Sequence, residues 1–455
     1  MDVKDPSRKI KPNIKAASSD KRIVYTALLL TIIIATACKS PTTASTGNDA
    51  AQQSQPSNKL SSKDRVEVFE DVWKTINENY YDPGFNGVDW RAVRERYRPQ
   101  AEEAANDFEF YKLFEVMLAE LRDAHTVFSR PKSPQDQGKF NPVGGVGISL
   151  GEAEGKIVVA EVEPDSDAAR AGVKPGMSLR TVNGRTVEEL FADIKTRFAG
   201  SSSERSMKAV MMTALLYGGF LGSTRTFGIE DFDGKIFDVK VTHFSPRTEA
   251  PVLEARRLTS GFGYIKFDQW QPPMDQRFNT ELAKMMDAPG LVIDLRGNGG
   301  GSGEVLLNIA SNFFATETSY GGFRPRNGEA QKYYTHRIEK VYMGAIVILV
   351  DEGSASASET FSQFMQESGR AQIIGRQTCG CVLNSYSKRT KDGGTLRYSA
   401  RVYVSPKGRV LEGTGVMPDE TVALTIADLQ RGRDAALERA ENVLRTLQGS
   451  GRRRS

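Results

Sequence analysis

The hydrophobic pattern of the chain is clearest between residues 345 and 375. A continuous apolar run at 346–350 is typical of a strand buried on both faces of a sheet. From Glu359 onward the apolar residues recur at helical spacing, and Gly369 follows as a stop signal. A second apolar patch, 373–374, comes directly afterwards. The pattern therefore predicts a strand, a tight turn, a helix and a second strand.

Three further regions have patterns of their own. Near the N-terminus, apolar spacing predicts three helices, at 64–80, 90–97 and 108–121. Residues 143–251 combine glycine-rich turns with short apolar strands, which indicates a β domain. After residue 255 the strands alternate with helical segments, so the remaining chain is predicted to be α/β.

A glycine-rich turn, 296–303, follows the predicted strand at 290–295. It does not fit the dinucleotide-binding G-x-G-x-x-G pattern, because Ser302 and Glu304 fall where the third glycine belongs. Glycines at a strand end let backbone N–H groups approach an anion, so we favour an oxyanion role. A tight turn without any ligand is the structural alternative.

Three alternating serines, Ser354, Ser356 and Ser358, precede the predicted helix that follows the 346–350 strand. A helix N-terminus presents unpaired backbone N–H groups, which can stabilise the oxyanion formed when a serine attacks a carbonyl. Ser356 and Glu359 also fit a capping box, and a serine before a helix is commonly only a cap. The local pattern leaves both roles open.

The chain contains three histidines, and His125 is the candidate general base. It follows the third predicted helix and lies among small polar residues. His243 instead lies in an alternating strand pattern, and His336 follows a polar, aromatic loop.

The 455 residues are enough for two or three domains, and 39% hydrophobic with 26% charged residues excludes wholesale disorder. The formal charge of +4 is concentrated in residues 1–37, so the rest of the chain is close to neutral. Apart from the basic residues 452–454, no feature suggests nucleic-acid binding.

Residues 23–37 are uncharged and mostly apolar, and they are too short to span a bilayer comfortably. We expect a secretory signal peptide at 1–37. The small residues before Cys38 resemble a bacterial lipobox, which implies lipidation of Cys38. An ordinary signal followed by an incidental cysteine is the alternative. Residues 38–63 are predicted to be a flexible tether. The chain is thus expected to be a membrane-anchored lipoprotein on the periplasmic side, and Lys39 favours the outer membrane if the cell is Gram-negative.

The other two cysteines, Cys379 and Cys381, lie one residue apart. In an exported protein they could oxidise together, although a bridge across one residue is geometrically strained. A zinc site needs more ligands than two cysteines and three scattered histidines readily supply. No metal and no cofactor is expected.

The segment 140–251 resembles a PDZ domain. The resemblance lies in Gly145, Val146, Gly147 and Ile148, a turn that in PDZ domains captures a peptide C-terminal carboxylate while the peptide adds as a strand. It covers about half of the segment, and residues 196–226 are predicted to be an insertion or an elaborated helix. A β module that acts only as a rigid spacer is the alternative.

Together with the lipobox and the PDZ-like module, the segments 294–300, 354–359 and 412–419 resemble the S41 peptidases. These are the tail-specific or C-terminal processing proteases and their tricorn-like relatives. The resemblance, over roughly 65–425, implies an α/β fold with a ClpP/crotonase-like β/α core at 252–430. The PDZ-like domain at 140–251 is inserted after an N-terminal helical domain at 64–130. Residues 431–455 are expected to form a C-terminal helix and a basic tail.

The resemblance also implies site residues. Ser356 is the expected nucleophile, with an oxyanion hole formed by the N–H of Ala357 and one N–H from the Gly299-Gly300 turn. Processing proteases carry a lysine base in a T-x-G-K segment. The corresponding segment here, 378–381, has Cys381 at the lysine position, which excludes a Ser–Lys dyad there.

A second branch of the family uses a histidine from a D-x-H-[TS] segment, which is present here at 123–126. The resemblance therefore implies His125 as the base, with Glu412 supporting its imidazolium. A histidine suits this role without special burial, because its ordinary pKa is near neutral. For a lysine, desolvation would have to lower the pKa by about three units.

The expected function is that of an exported, lipid-anchored serine endopeptidase that cleaves polypeptides and recognises their C-termini through the PDZ-like domain. Loss of the lysine favours one alternative, an inactive peptide-binding lipoprotein. A crotonase-like acyl-CoA enzyme is disfavoured because an exported chain meets little CoA. A thiol nucleophile at Cys381 is also open, although no adjacent base is evident in the sequence.

Overall fold

The computed structural model describes residues 60–131, 145–197, 200–216, 222–243 and 252–451. The predicted signal peptide, Cys38 and nearly all of the predicted tether lie outside these ranges. Within them, no helix is long and apolar enough to cross a membrane.

Three helices form an N-terminal domain, in agreement with the apolar spacing. Each begins at a side-chain cap from Ser61, Asp89 or Asn106, and their apolar faces meet in one buried cluster. The second helix extends further than predicted because Tyr97 and Ala101 remain buried in that cluster. The elements are α1 (Ser62–Asn79), α2 (Trp90–Glu103), α3 (Asp107–Ala119) and the short strand β1 (Val127–Ser129).

A β domain follows at 145–243. Its strands are β2 (Ile148–Ala153), β3 (Lys156–Val162), β4 (Ser178–Val182), β5 (Arg185–Thr186), β6 (Thr224–Glu230) and β7 (Ile236–Thr242). They pair antiparallel in the order β2–β3–β4–β6–β7, with β5 beside β4. Its helices are α4 (Asp167–Arg170), α5 (Val187–Arg197) and α6 (Glu204–Leu216). The apolar segment that was expected to be an insertion or helix forms α6, and Leu215 and Leu216 pack into the β-domain core.

The C-terminal domain is built on a six-stranded sheet. Its strands are β8 (Leu253–Arg257), β9 (Gly263–Phe267), β10 (Gly290–Asp294), β13 (Ala345–Val350), β14 (Gln372–Gly375) and β17 (Glu420–Thr421). They lie in the order β17–β14–β13–β10–β9–β8 and are parallel except for the β8–β9 pair. Helices α7 (Met274–Ala283), α8 (Gly303–Ala310) and α9 (Ala357–Glu367) cover one face, and α11 (Ala435–Gly451) covers the other. The central strands are continuously apolar because both faces are buried.

A second sheet joins the N-terminal and C-terminal domains. It comprises β1, β11 (Ser319–Pro325), β12 (Gln331–Tyr334), β15 (Leu383–Arg389) and β16 (Thr395–Val404). Strand β1 pairs antiparallel with β16, with Val127 opposite Arg397. This pairing, which the sequence pattern did not predict, places the loop before β1 beside the C-terminal domain. A short helix, α10 (Ile426–Arg431), precedes α11.

The whole is a mixed α/β fold. Strands β10 and β13 are neighbours and end together, and the Leu295 N–H donates to the Leu349 oxygen at 2.9 Å. The glycine-rich turn after β10 and the serine turn after β13 are therefore adjacent. The carboxyl ends of parallel strands are where α/β sheets commonly place their sites.

Candidate active site

The three serines after β13 have different environments. Ser354 and Ser358 are fully buried, and their hydroxyls donate to the backbone oxygens of Leu295 (2.8 Å) and Asn298 (2.9 Å). Ser356 is partly exposed and adopts φ 54° and ψ −112°, a conformation that residues other than glycine rarely adopt. The two buried serines fix the turn, so that Ser356 is presented to solvent at the N-terminus of α9.

A buried carboxyl group, Glu359, holds this turn against the segment 378–381. Its Oε2 accepts the N–H groups of Ser356 (3.0 Å) and Cys381 (2.9 Å). Its Oε1 accepts the Gly380 N–H (2.7 Å) and the Thr378 hydroxyl. Burial raises the pKa of Glu359, and these hydrogen bonds act in the opposite direction. The predicted capping interaction of Glu359 with the Ser356 backbone is thus present, but its link to the 378–381 segment could not be read from the S-x-x-E spacing.

The glycine-rich turn packs directly on the serine turn. The Asn298 backbone oxygen accepts the Ala355 N–H at 3.0 Å, and the Asn298 Oδ1 accepts the Gly300 N–H at 3.0 Å. Gly300 has φ 99°, and a Cβ there would lie 2.7 Å from the Ala355 oxygen. Among the residues described, no acceptor pairs with the N–H of Gly299 or of Ala357. These two predicted oxyanion donors are therefore available, whereas the Gly300 donor is occupied.

His125 lies in the loop between α3 and β1 and is only 4% exposed. The Asp123 carboxylate accepts the His125 backbone N–H at 2.7 Å and the Thr126 hydroxyl, and its Oδ1 lies 3.8 Å from the imidazole Nδ1. Neither ring nitrogen has a hydrogen-bond partner in the described part of the chain. Burial lowers the pKa of His125 below its ordinary value, partly opposed by the charge of Asp123. The imidazole is consequently neutral near pH 7, as a general base must be.

Glu412 lies close to both halves of the predicted site. The Val382 N–H donates to its Oε2 at 2.7 Å, while its buried Oε1 has no partner among the described residues. Burial raises the pKa of Glu412 to about 8, and the negative charge of Asp123 acts in the same direction. Val382 directly follows Cys381, whose backbone oxygen accepts the Ser356 N–H at 3.0 Å.

A segment of the β domain also reaches this region. The Ala124 N–H donates to the Ser202 hydroxyl at 3.1 Å, and the Ser203 hydroxyl donates to the Cys379 backbone oxygen. The structure therefore brings the His125 loop, Glu412 and the serine turn into one neighbourhood. It does not hydrogen-bond Ser356 to His125, because both imidazole nitrogens lack a partner among the residues described.

Cys379 and Cys381 are joined by a disulfide. The thiol-nucleophile alternative at Cys381 is therefore wrong for this structure, because a sulfur bonded in a disulfide is not a thiolate. In the described ranges, no group of three or more His, Cys, Asp or Glu side chains is arranged to hold a metal ion.

The predicted peptide-binding turn, Gly145 to Ile148, lies at the start of β2. Val146 is buried in the β-domain core, and Gly147 has φ 74° with its oxygen accepting the Glu163 N–H at 2.9 Å. Ile148 opens β2, which pairs with β3 and forms an edge of the described sheet. Helix α6 is fixed beside this strand by an ion pair of 2.6 Å between Lys208 and Glu152.

Comparison with known proteins bears on this arrangement. Residues 261–422 match the sequence model of peptidase family S41, and residues 61–119 match that of the tricorn protease C1 domain. The chain is 24% identical over 385 residues to the carboxyl-terminal-processing protease of Synechocystis sp., covering 82% of this chain and 85% of that protein. It is 28% identical over 361 residues to the chloroplastic C-terminal processing peptidase of Tetradesmus obliquus, covering 77% and 76%.

A structural match gives the same fold. The photosystem II D1 C-terminal processing protease aligns with a TM-score of 0.56 at 22% identity, covering 79% of this chain and 93% of that one. At this identity the likeness concerns the fold alone. The sequence matches, rather than the fold, show a serine-type peptidase.

Proposed function

Since the chain has the sequence features of a serine-type peptidase, we propose that it hydrolyses polypeptides by attack of the Ser356 hydroxyl on a peptide carbonyl. The supporting observation is the serine turn itself. Of its three serines, the two flanking hydroxyls are buried and bonded, and Ser356 alone is partly exposed. It lies beside two backbone N–H groups for which the described part of the chain provides no acceptor. Those donors, from Gly299 and Ala357, would stabilise the oxyanion of the tetrahedral intermediate.

His125 is proposed to accept the hydroxyl proton as Ser356 attacks and to deliver it to the leaving amine. A water molecule then hydrolyses the acyl-enzyme by the same route in reverse, which regenerates the serine. Burial disfavours the imidazolium that forms transiently, and the charge of the Asp123 carboxylate would offset part of that cost. Glu412, whose pKa is raised to about 8, would support the imidazolium as a carboxylate only after losing its own proton. Because His125 is not hydrogen-bonded to Ser356 in the free protein, substrate binding would have to complete the dyad.

The β domain is proposed to bind substrate C-termini in the manner of a PDZ domain. Support comes from the Gly145–Ile148 turn, which leads into the edge strand β2. A peptide could add to such an edge as a further strand. Export and lipid anchoring at Cys38 are proposed from the sequence alone, from the apolar stretch at 23–37 and the small residues before the cysteine.

The proposal is tested by treating the purified chain with a fluorophosphonate and mapping the adduct by mass spectrometry. The expected adduct is on Ser356, and Ser356→Ala is expected to lose both labelling and hydrolysis of an unfolded polypeptide. Hydrolysis that persists in Ser356→Ala would overturn the assignment.

Two observations favour a second function, a peptide-binding protein without catalysis. The candidate base is buried without a partner in the described structure, and a disulfide occupies the position where the resemblance expects lysine. For this function, peptides ending in a free carboxylate would bind the chain, while no serine is labelled by the fluorophosphonate.

A further inference from the structure

We propose that the Cys379–Cys381 disulfide positions Ser356 for attack, so that full hydrolytic activity requires these two cysteines in their oxidised form. This inference rests on the proposed function. The two cysteines are positioning residues, since they act through the backbone around the nucleophile.

The backbone of 379–381 is bonded to the serine turn along its whole length. The Cys381 oxygen accepts the Ser356 N–H at 3.0 Å, and the Cys379 N–H donates to the Ser354 oxygen at 3.1 Å. The N–H groups of Gly380 and Cys381 donate to the carboxyl group of Glu359, which itself accepts the Ser356 N–H. The position of Ser356 therefore depends on the conformation of these three residues.

The other side of the 379–381 segment is also held. The Gly380 oxygen accepts the Gly413 N–H at 2.9 Å, and the Ser203 hydroxyl donates to the Cys379 oxygen. Gly380 has φ 77°, in the left-handed region, and a Cβ there would lie 3.0 Å from the Gly413 carbonyl carbon. A glycine is required at this close approach, but glycine is also the residue with the greatest backbone freedom. The disulfide across it removes that freedom.

The covalent link is expected to affect local geometry more than global stability. A disulfide removes conformational entropy from the unfolded chain in proportion to the logarithm of the loop that it closes, and this loop spans only one intervening residue. By contrast, a catalytic group misplaced by about 1 Å can lower a rate about a hundredfold. Loss of the disulfide should therefore lower reactivity of Ser356 well before it unfolds the protein.

Reduction would proceed by thiol–disulfide exchange with a dithiol reductant. The S–S bond breaks, two electrons and two protons convert the pair to two thiols, and the dithiol becomes a disulfide. Because Cys379 and Cys381 are only 8% and 4% exposed, exchange requires local opening. The oxidised or reduced state that the cysteine pair acquires during folding should therefore persist. A chain that folds in a reducing compartment would leave Ser356 poorly positioned and would hydrolyse substrate slowly. A chain that folds after export would form the disulfide and reach full activity.

The test compares the oxidised full chain, the same chain after reduction by a dithiol, and the double variant Cys379→Ser/Cys381→Ser. The second-order rate of fluorophosphonate labelling at Ser356 is measured beside the thermal midpoint, and free thiols are counted by alkylation. We expect labelling to fall about ten- to hundredfold in the reduced chain and in the variant, with little change in midpoint. Reoxidation should restore labelling of the wild type, and the variant should not respond to the dithiol.

Equal labelling of oxidised and fully reduced protein would overturn the inference and leave the proposed function intact. A fall in labelling that only follows loss of folded protein would also overturn it, because the bridge would then be merely structural. The reduced wild type decides the case if the double variant does not fold. Absence of labelling in the oxidised chain would overturn the proposed function itself, and the inference with it.

Discussion

The nucleophile and the base of the proposed site are built in opposite ways. The serine turn is fixed on several sides. The Ser354 and Ser358 hydroxyls donate to oxygens of the neighbouring turn, and the backbone next to Ser356 donates to Asn298 and Glu359. The imidazole of His125 is buried from solvent, yet neither of its nitrogens has a partner in the described structure. One half of the site is complete in the free protein and the other is not.

This difference indicates where activity can be controlled. Ser356 and its oxyanion donors belong to a single domain and are set by two adjacent strand ends. His125 comes from a different part of the chain, which is held to the C-terminal domain through the β1–β16 pairing. Small movements of the N-terminal domain, or of Ser202, which accepts the Ala124 N–H, would shift the base without disturbing the nucleophile. Substrate binding is therefore the natural step at which the two halves would meet.

Of the substitutions that distinguish the two halves of the site, removal of the His125 imidazole should have the largest effect on hydrolysis. His125→Ala is expected to lower hydrolysis by roughly 10²–10⁴-fold, because the proton acceptor is lost while the oxyanion donors remain. The measurement is kcat/KM on an unfolded polypeptide. His336→Ala is the matched control, since His336 is exposed and should leave the rate unchanged. Hydrolysis that survives in His125→Ala would show that another group is the base.

A pair of glycine variants should disturb the nucleophile side selectively. Gly300→Ala places a Cβ 2.7 Å from the Ser356 Cβ at φ 99°, so we expect a loss of about 1–3 kcal/mol in the free energy of unfolding and slower labelling of Ser356. Gly303→Ala is the control, because a Cβ there meets no atom within 4 Å and Gly303 is not one of the proposed oxyanion donors. Urea unfolding and labelling rates measure both effects. If the two variants behaved alike, the close packing of the two turns would be contradicted.

Replacing Glu412 should give the smallest effect on the rate and a distinct effect of pH on stability. Its pKa is raised from 4.5 to about 8, so between those values the folded protein binds its proton more readily than the unfolded chain does. Stability contributed by this group therefore falls as pH rises through that window. Glu412→Gln removes the titration, and we expect the variant to be more stable than the wild type near pH 8, by roughly 1–4 kcal/mol.

That advantage should vanish as the pH falls towards 4.5, where Glu412 is protonated in both states. The pKa of His125 is lowered in the folded protein, so His125 also makes stability depend on pH. The wild type and Glu412→Gln both contain His125 and are therefore compared with each other at each pH by urea unfolding. An equal difference in stability at every pH would contradict the buried, proton-binding environment of Glu412.

Local patterns in the sequence were sufficient to predict the strands and the helix around Ser356. The apolar run at 346–350 and the spacing after Glu359 correspond to β13 and α9, and the strand predicted at 290–295 is β10. Such elements follow from short-range periodicity and from burial on both faces of a parallel sheet. The mixed α/β fold and the serine-peptidase resemblance are supported as well.

The contacts around these elements could not be predicted in the same way, because they join residues distant in the chain. The fourfold bonding of Glu359, the pairing of β1 with β16 and the insertion of Ser202 beside Ala124 all depend on tertiary arrangement. From the sequence, Glu359 could be predicted only as a helix-capping residue, and Asp123 only as part of the D-x-H-[TS] motif. The disulfide was considered from spacing alone, and its contacts with the serine turn required the fold.

The most direct test of the account is a crystal structure of the chain with a phosphonate bound covalently to Ser356. We predict that an imidazole nitrogen of His125 lies about 3 Å from the Ser356 Oγ or from the phosphonate, with a phosphonate oxygen on the N–H groups of Gly299 and Ala357. An adduct on Ser356 with the imidazole of His125 still unpartnered and out of reach would contradict the Ser356–His125 mechanism.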